Sequence, residues 1–320
     1  MKALVTGATG FIGSHLCEEL VRRGYEVTCL IRKTSNLKWI ENINLKFVLG
    51  DCTSRESLLD AVADFDVIFH LAGLTKSSSA KDFFCINAQG TENLISAVAE
   101  KNSKLKRFIY LSSLAAVGPS NNGAPLREES DPRPVSSYGK SKLEGEKAVL
   151  RHKDSIPVTI LRPPAVYGPR DEDLFIFFRL IKKGVFPYWG KCYYSLLYVD
   201  DLVQAILLSA ENKDAEGEIY FLSNSNVYTG EEIAMEIASA LNVGVTQLKV
   251  PRFVMPFFAF IVEKINKKGI INRDKIKELC HSHWTCDASK AKEKLGFIPK
   301  VKIKEGIKWT ADWYRIHRWL

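Results

Sequence analysis

Residues Thr6–Gly13 read TGATGFIG, directly behind the apolar, β-branched run KALVT (Lys2–Thr6) and ahead of an amphipathic stretch that continues to Arg23. Spaced glycines alone say little. A glycine turn that leaves a strand and opens a helix, however, is the setting in which a phosphate is cradled. There Gly7 permits the tight turn, Gly10 lets the backbone approach a pyrophosphate, and Gly13 allows the helix to pack close to the strand. The first N–H groups of a helix have no partner within it, so they face the anion. With Thr9, Phe11 and Ile12 completing the loop, the stretch is a candidate dinucleotide seat.

The surroundings support this reading. Strand-like runs recur at EVTCLI, LKFVLG, DVIFHLA, RFIYLSS and VTILR, separated by amphipathic stretches at Gly13–Arg23, Ser54–Ala63, Asn87–Lys101 and Ser137–Arg151. Parallel strands need crossover connections, so this alternation predicts an α/β fold with a doubly wound parallel sheet. Residues 1–170 are expected to form the dinucleotide-binding domain, with a return to it around 195–225 through SLLYVDDLVQAILLSA and GEIYFLS. Residues 171–320 are expected to form a smaller, mostly helical substrate-binding region, with TGEEIAMEIASALN as one of its helices.

Composition narrows the class. The chain has 320 residues, 46% of them hydrophobic, enough for a sizeable core. MKALVTG does not read as a secretory leader, and no run of eighteen apolar residues occurs. Seven scattered cysteines suggest reduced, buried thiols and a cytoplasmic setting. Of the net charge of +8, the region from Lys264 to Leu320 carries fifteen Lys/Arg against six Asp/Glu. That surplus reads as a solvated lysine-rich surface, because no nucleic-acid-binding motif accompanies it. Residues 253–268 contain the apolar run FVMPFFAFIV with basic residues behind it, for which a pocket lid or buried helix is expected before an interfacial membrane contact. Cys280, His281, His283 and Cys286 lack a CxxC or HxxxH pairing, so no metal is expected there.

TGATGFIG, GDCTS, HLAG, SSLAAVG, YGKSK and RPPAVYGP follow one another between Thr6 and Pro169. In this the sequence resembles the extended branch of the short-chain dehydrogenase/reductase superfamily, whose glycine spacing is GxxGxxG. The resemblance implies that Asp51 caps the adenine and that Leu71, Ala72 and Gly73 line the cofactor floor. It extends the cofactor contacts to Cys52, Pro163, Val166, Tyr138 and Lys142. At the end of the second strand, where an NAD enzyme usually carries an acid for the ribose hydroxyls, the chain reads CLIRKTS. Ile31 takes the acid's place and Arg32 and Lys33 follow. A guanidinium clamps a 2′-phosphate that a carboxylate would repel, so NADP(H) is expected, with NAD as the alternative.

SSYGKSKLEGEKA places Tyr138 and Lys142 four residues apart, on one face of a helix. A free phenol has a pKa near about 10. A neighbouring ammonium, together with the positive nicotinamide ring, favours the phenolate, so Lys142 is expected to lower that value and Tyr138 to act as general acid/base. Ser113 ends the fifth strand, where its hydroxyl is expected to orient the substrate oxygen; Ser112 is its nearest competitor. Asn87 matches an active-site Asn by resemblance, or else only stiffens its helix.

Within the superfamily the departures point away from sugar nucleotides. Leu114 and Ala115 stand where dehydratases carry an Asp-Glu pair. Ala165 replaces the Asn, and Tyr193, Tyr194 and Ser195 the Arg, that sugar-nucleotide enzymes turn toward a diphosphate; HSHWTCDASKA replaces the late arginine motif. The motifs come nearest to the dihydroflavonol reductase and 3β-hydroxysteroid dehydrogenase group. Hydride transfer between nicotinamide and a secondary alcohol or ketone of a relatively apolar small molecule is therefore expected, with VFPYWGKCYY and RFVMPFFAFIVEKI walling the pocket. The alternative is an NAD-dependent nucleotide-sugar epimerase. A dinucleotide sensor without catalysis is disfavoured, because both Tyr138 and Lys142 are kept. The resemblance also implies a homodimer through the helices Asn87–Lys101 and Ser137–Arg151. Trp309, Trp313, Ile316 and Leu320 recur at helical spacing and are expected to pack inward.

Overall fold

The computed structural model describes residues 1–251 and 273–320. In chain order its strands are β1 (Lys2–Thr6), β2 (Glu26–Ile31), β3 (Lys46–Leu49), β4 (Val67–His70), β5 (Arg107–Leu111), β6 (Val158–Arg162), β7 (Ala165–Tyr167), β8 (Val185–Tyr188), β9 (Tyr193–Tyr198), β10 (Ile219–Phe221), β11 (Val227–Thr229), β12 (Thr246–Lys249) and β13 (His283–Trp284). The helices are α1 (Phe11–Arg22), α2 (Ala80–Phe83), α3 (Gly90–Lys101), α4 (Ser137–Leu150), α5 (Phe175–Lys182), α6 (Val199–Glu211), α7 (Gly230–Leu241), α8 (Arg273–Leu279), α9 (Ser289–Leu295) and α10 (Ile303–Ile316).

Seven strands form one parallel sheet in the order β10-β6-β5-β4-β1-β2-β3. Both faces are covered, which is why its strands are apolar on consecutive residues. Alternate residues such as Val5, Cys29 and Phe69 pack under Leu16 and Cys17 of α1 and Leu202 and Ile206 of α6. The opposite set, Leu4, Ile68, Phe108 and Ile160, packs under Leu94 and Val98 of α3 and Val149 of α4. The chain leaves β1 toward β2 on one side and resumes with β4 on the other. A crevice therefore opens beyond the carboxyl ends of β1 and β4, where Thr6 is paired with His70.

The expected return through SLLYVDD is met only in part. β9 does not rejoin the large sheet. It centres a second one, parallel to β7 and β13 and antiparallel to β11. Pro163 and Pro164 follow β6 and have no N–H to give to a ladder, so the chain turns away into β7, and β9 pairs with that strand. Only α6 and β10 return. The helix expected over Ser54–Ala63 is a 3-10 turn at Arg55–Leu58, because the Ser57 hydroxyl donates back to the carbonyls of Ser54 and Asp51. Over TGEE the expectation holds: Thr229 and Glu232 close a reciprocal capping box at the start of α7.

On α10 the inward face is Ile307, Ala311 and Tyr314, while Trp309 and Ile316 are exposed, which corrects the expected stripe. Trp313 packs against Trp39 and Trp319 instead, because the chain end folds back through the left-handed Arg318 so that Trp319 N–H bonds the Tyr314 carbonyl. Among the cysteines, Cys17, Cys29, Cys192 and Cys286 are buried, but Cys85 is exposed. The apolar run within 253–268 lies outside the described residues. Among the described residues no helix is long and apolar enough to cross a membrane.

Candidate active site

Gly7 sits at φ +74°, and a Cβ there would lie 2.6 Å from the Ala72 nitrogen and 2.7 Å from the Leu71 carbonyl carbon. The glycine thus lets β1 turn directly against the loop that leaves β4. A Cβ on Gly13 would lie 2.1 Å from the Gly7 carbonyl oxygen, so the start of α1 rests on the turn itself. Gly10 is the helix cap and offers no side chain to the first N–H groups, and the first turn holds no acid. This uncapped, side-chain-free cradle suits a pyrophosphate. Thr9, Phe11 and Ile12 lie along the same turn, partly exposed.

Beneath it, Thr6 Oγ1 lies 2.7 Å from His70 Nδ1 and accepts the Ala72 N–H, while His70 Nε2 lies 2.9 Å from Thr91 Oγ1. The Thr91 hydroxyl donates to the Asn87 carbonyl, so it accepts from His70, and Thr6 then donates to Nδ1. Burial pushes the His70 pKa down to about 3, so the imidazole is neutral.

The ends of β2 and β3 meet where Gly50 N–H bonds the Ile31 carbonyl. Arg32 and Lys33 are exposed there, Asp51 accepts from Thr53, and the Arg32 charge acts on Cys52. Burial, helped by Asp51, raises the Cys52 thiol to about 12, which makes it a packing group rather than a nucleophile. The Pro163 carbonyl accepts the Leu114 N–H at 2.8 Å beside Ser113, and Val166 lies in β7 opposite Leu197.

Ser113 caps the 3-10 turn after β5, accepting the Ala115 N–H, and its hydroxyl interacts with the Tyr138 phenol. Ser112 points elsewhere, to Glu146, which also takes a bidentate ion pair from Arg162. Lys142, only 4% exposed, donates to the Leu111 carbonyl at 2.7 Å. Burial lowers its pKa to about 7, with Glu146 opposing. The Tyr138 phenol moves the other way. Burial raises it to about 12, the Ser113 hydrogen bond opposes the rise, and Glu278 adds to it. The largest influences on the phenol are thus burial, Ser113 and Glu278, while the Lys142 amine lies on the Leu111 carbonyl and above the Tyr110 ring.

The model of the NAD dependent epimerase/dehydratase family matches residues 3–223. The chain belongs to that family. Among its relatives, the UDP-glucose 4-epimerase of Vibrio cholerae is 29% identical over 97% of this chain and 94% of its own. The ceramide reductase of Caulobacter vibrioides is 27% identical over 99% of this chain and 95% of its own. The crystal structure of a UDP-glucose 4-epimerase of Thermotoga maritima with UDP-glucose superposes with a TM-score of 0.82 at 25% identity, covering 99% of this chain and all of that one. The protein is an NAD(P)-dependent enzyme of the extended short-chain dehydrogenase/reductase type.

Against other extended short-chain dehydrogenases/reductases the departures have structural counterparts. Ala165 opens β7, exposed, opposite Leu196, while Tyr194 lies in β9 between Tyr228 and Trp284. His283 stacks on Tyr193 at 4.9 Å, and Cys286 is buried with its N–H on Ser195. Among the described residues no group of three or more His, Cys, Asp or Glu side chains is placed to hold a metal.

Asn87 is wholly buried in a π-helical turn, Phe84–Gln89, and ties the Leu74 backbone to the Ser141 hydroxyl. Sequence reasoning missed α8. Its Asp274 accepts the N–H groups of Ser137 and Tyr138, and its Glu278 accepts the Ser136 hydroxyl. Nothing local in RDKIKEL signals a partner 136 residues away. Lys76 and Asp173, an ion pair joining two further loops, were also missed; Asp173 acts on the Tyr138 phenol.

Proposed function

We propose that this chain is an NADP(H)-dependent oxidoreductase acting on a secondary alcohol or ketone of a relatively apolar small molecule. The observation that carries the reading is the Tyr138 phenol, held protonated beside Ser113 at the carboxyl edge of the parallel sheet. A phenol raised to about 12 retains its proton at neutral pH and can hand it to a developing alkoxide. Ser113 then donates to the same oxygen and fixes the carbonyl against Tyr138.

The glycine cradle from Gly7 to Gly13 would hold the pyrophosphate, and Arg32 with Lys33 the 2′-phosphate. Asp51 and Cys52 would border the adenine; Leu71, Ala72, Gly73, Lys142, Pro163 and Val166 would border the nicotinamide half. The nicotinamide held there would supply or take up the hydride of the substrate carbon. Lys142, titrating about 7, can change charge near neutral pH and so adjust the field at that half of the site.

Two features support an apolar substrate. The cation that acts on the phenol, Lys275, carries the carboxylate partner Glu278, and Asp173, which also acts on it, is paired with Lys76. A buried diphosphate would need cations of its own. The ceramide reductase relative, by its name, reduces a lipid. The cofactor part is tested by titrating NADPH and NADH against the protein and its Arg32→Asp variant by fluorescence. Tighter NADPH binding that weakens at least about tenfold in the variant is the predicted result, since a bidentate phosphate contact is lost and a repulsion gained. Preference for NADH, with no effect of the substitution, would return the weight to an NAD-dependent epimerase of nucleotide sugars.

A further inference from the structure

We propose that Asp274 is a positioning residue for this reaction: its carboxylate, carried on α8, fixes the first turn of α4 and with it the place of the Tyr138 phenol against Ser113. The proposal rests on Tyr138 being the proton donor.

A helix start leaves its first N–H groups without intrahelical acceptors, and one side-chain cap normally satisfies only one of them. In α4 three have protein acceptors. The Ser136 hydroxyl accepts the Gly139 N–H at 3.0 Å and donates a hydrogen bond to Glu278 at 2.7 Å. The two remaining N–H groups, of Ser137 and Tyr138, go to the two oxygens of Asp274 at 2.7 and 2.9 Å. A single carboxylate thus grips the backbone of the catalytic tyrosine and of its neighbour. Phe83 meets the same tyrosine ring edge-on, with ring centres 6.1 Å apart, so ring and backbone are held by different elements.

The grip also has an electrostatic effect. Helix N-termini carry partial positive charge, which would favour a phenolate nearby; a carboxylate seated on the N–H groups cancels that field. The other charged groups acting on the phenol are Glu278 and Lys275 of α8 and Asp173, itself paired with Lys76; on its own helix the Lys142 amine is turned to the Leu111 carbonyl. Asp274 therefore works with Glu278 and Asp173 to keep the proton on Tyr138, as a donor to a carbonyl requires.

The test uses Asp274→Asn, which keeps one acceptor but loses the charge, and Asp274→Ala, which loses both, each also prepared with Tyr138→Phe. The difference in tyrosinate absorbance between each protein and its Tyr138→Phe counterpart follows Tyr138 alone and needs no substrate. The expected result is titration of Tyr138 at lower pH in both variants, dinucleotide affinity within about twofold of the parent, and kcat for ketone reduction down about tenfold or more with a smaller change in KM. An unchanged titration and kcat in folded protein, with only a lower melting temperature, would overturn the proposal and leave Asp274 as a structural cap. If Asp274→Ala does not fold, the Asn variant decides. If the parent reduces no ketone, the functional reading fails, and the absorbance titration still decides the role of Asp274.

Discussion

The Lys142 ammonium donates to the Leu111 carbonyl at 2.7 Å while lying 4.2 Å from the centre of the Tyr110 ring. Burial depresses its pKa from 10.5 to about 7, so the folded state prefers the neutral amine. Below pH 7 the lysine is protonated in both states and its cost to folding is at its full value. Between 7 and 10.5 the unfolded chain binds the extra proton, so stability rises with pH. Lys142→Met should therefore raise stability on the order of 2 kcal/mol at pH 6, with a smaller gain near pH 10, while abolishing turnover. Urea unfolding at the two pH values checks this; a variant less stable at pH 6 contradicts it.

The glycines of the loop should separate folding from binding. Gly13→Ala forces a methyl to 2.1 Å from the Gly7 oxygen, and backbone must move. A loss of about 3 kcal/mol is expected. Gly10→Ala brings its methyl to 3.3 Å from the same oxygen, at an ordinary φ of −83°. That variant should melt within a few degrees of the parent yet bind dinucleotide at least about tenfold more weakly, because Cβ stands where the pyrophosphate approaches. Thermal melts and cofactor titration read the two effects apart.

His70 predicts an acid sensitivity. Its pKa falls from 6.5 to about 3 on burial, so between those values the unfolded chain binds a proton that the folded one refuses. Stability contributed by the neutral imidazole is complete above pH 6.5 and is lost as pH falls toward 3. Substituting His70→Asn should flatten the dependence of the urea midpoint on pH between 7 and 4.5. An equal slope in parent and variant would assign the acid sensitivity to other groups.

Much of this was legible because it is written locally. A strand, a glycine turn and a helix within Lys2–Arg23 specify the crevice, and Tyr138 and Lys142 share a helix face whatever else the chain does. The apolar alternation of six strands gave the parallel sheet. What was not legible depends on tertiary partners. β9 reads as a buried strand in either sheet, and only the Pro163–Pro164 turn away from β6 decides which it joins. The Tyr138–Lys142 spacing is local, whereas the burial of the phenol and the Lys142 contact with the Leu111 carbonyl depend on elements far away in the chain. Asp274 could not be found from spacing, since the helix it caps begins 137 residues earlier.

The most direct test of the account is the fate of the nicotinamide during turnover. Purified protein is given NADPH with a panel of apolar ketones and, separately, NAD with UDP-glucose, and reduced dinucleotide is followed at 340 nm. The account predicts stoichiometric loss of NADPH with at least one ketone, falling about a hundredfold or more in Tyr138→Phe when the proton donor is removed. Conversion of UDP-glucose to its 4-epimer with no net change in dinucleotide, and no ketone reduction, would contradict it.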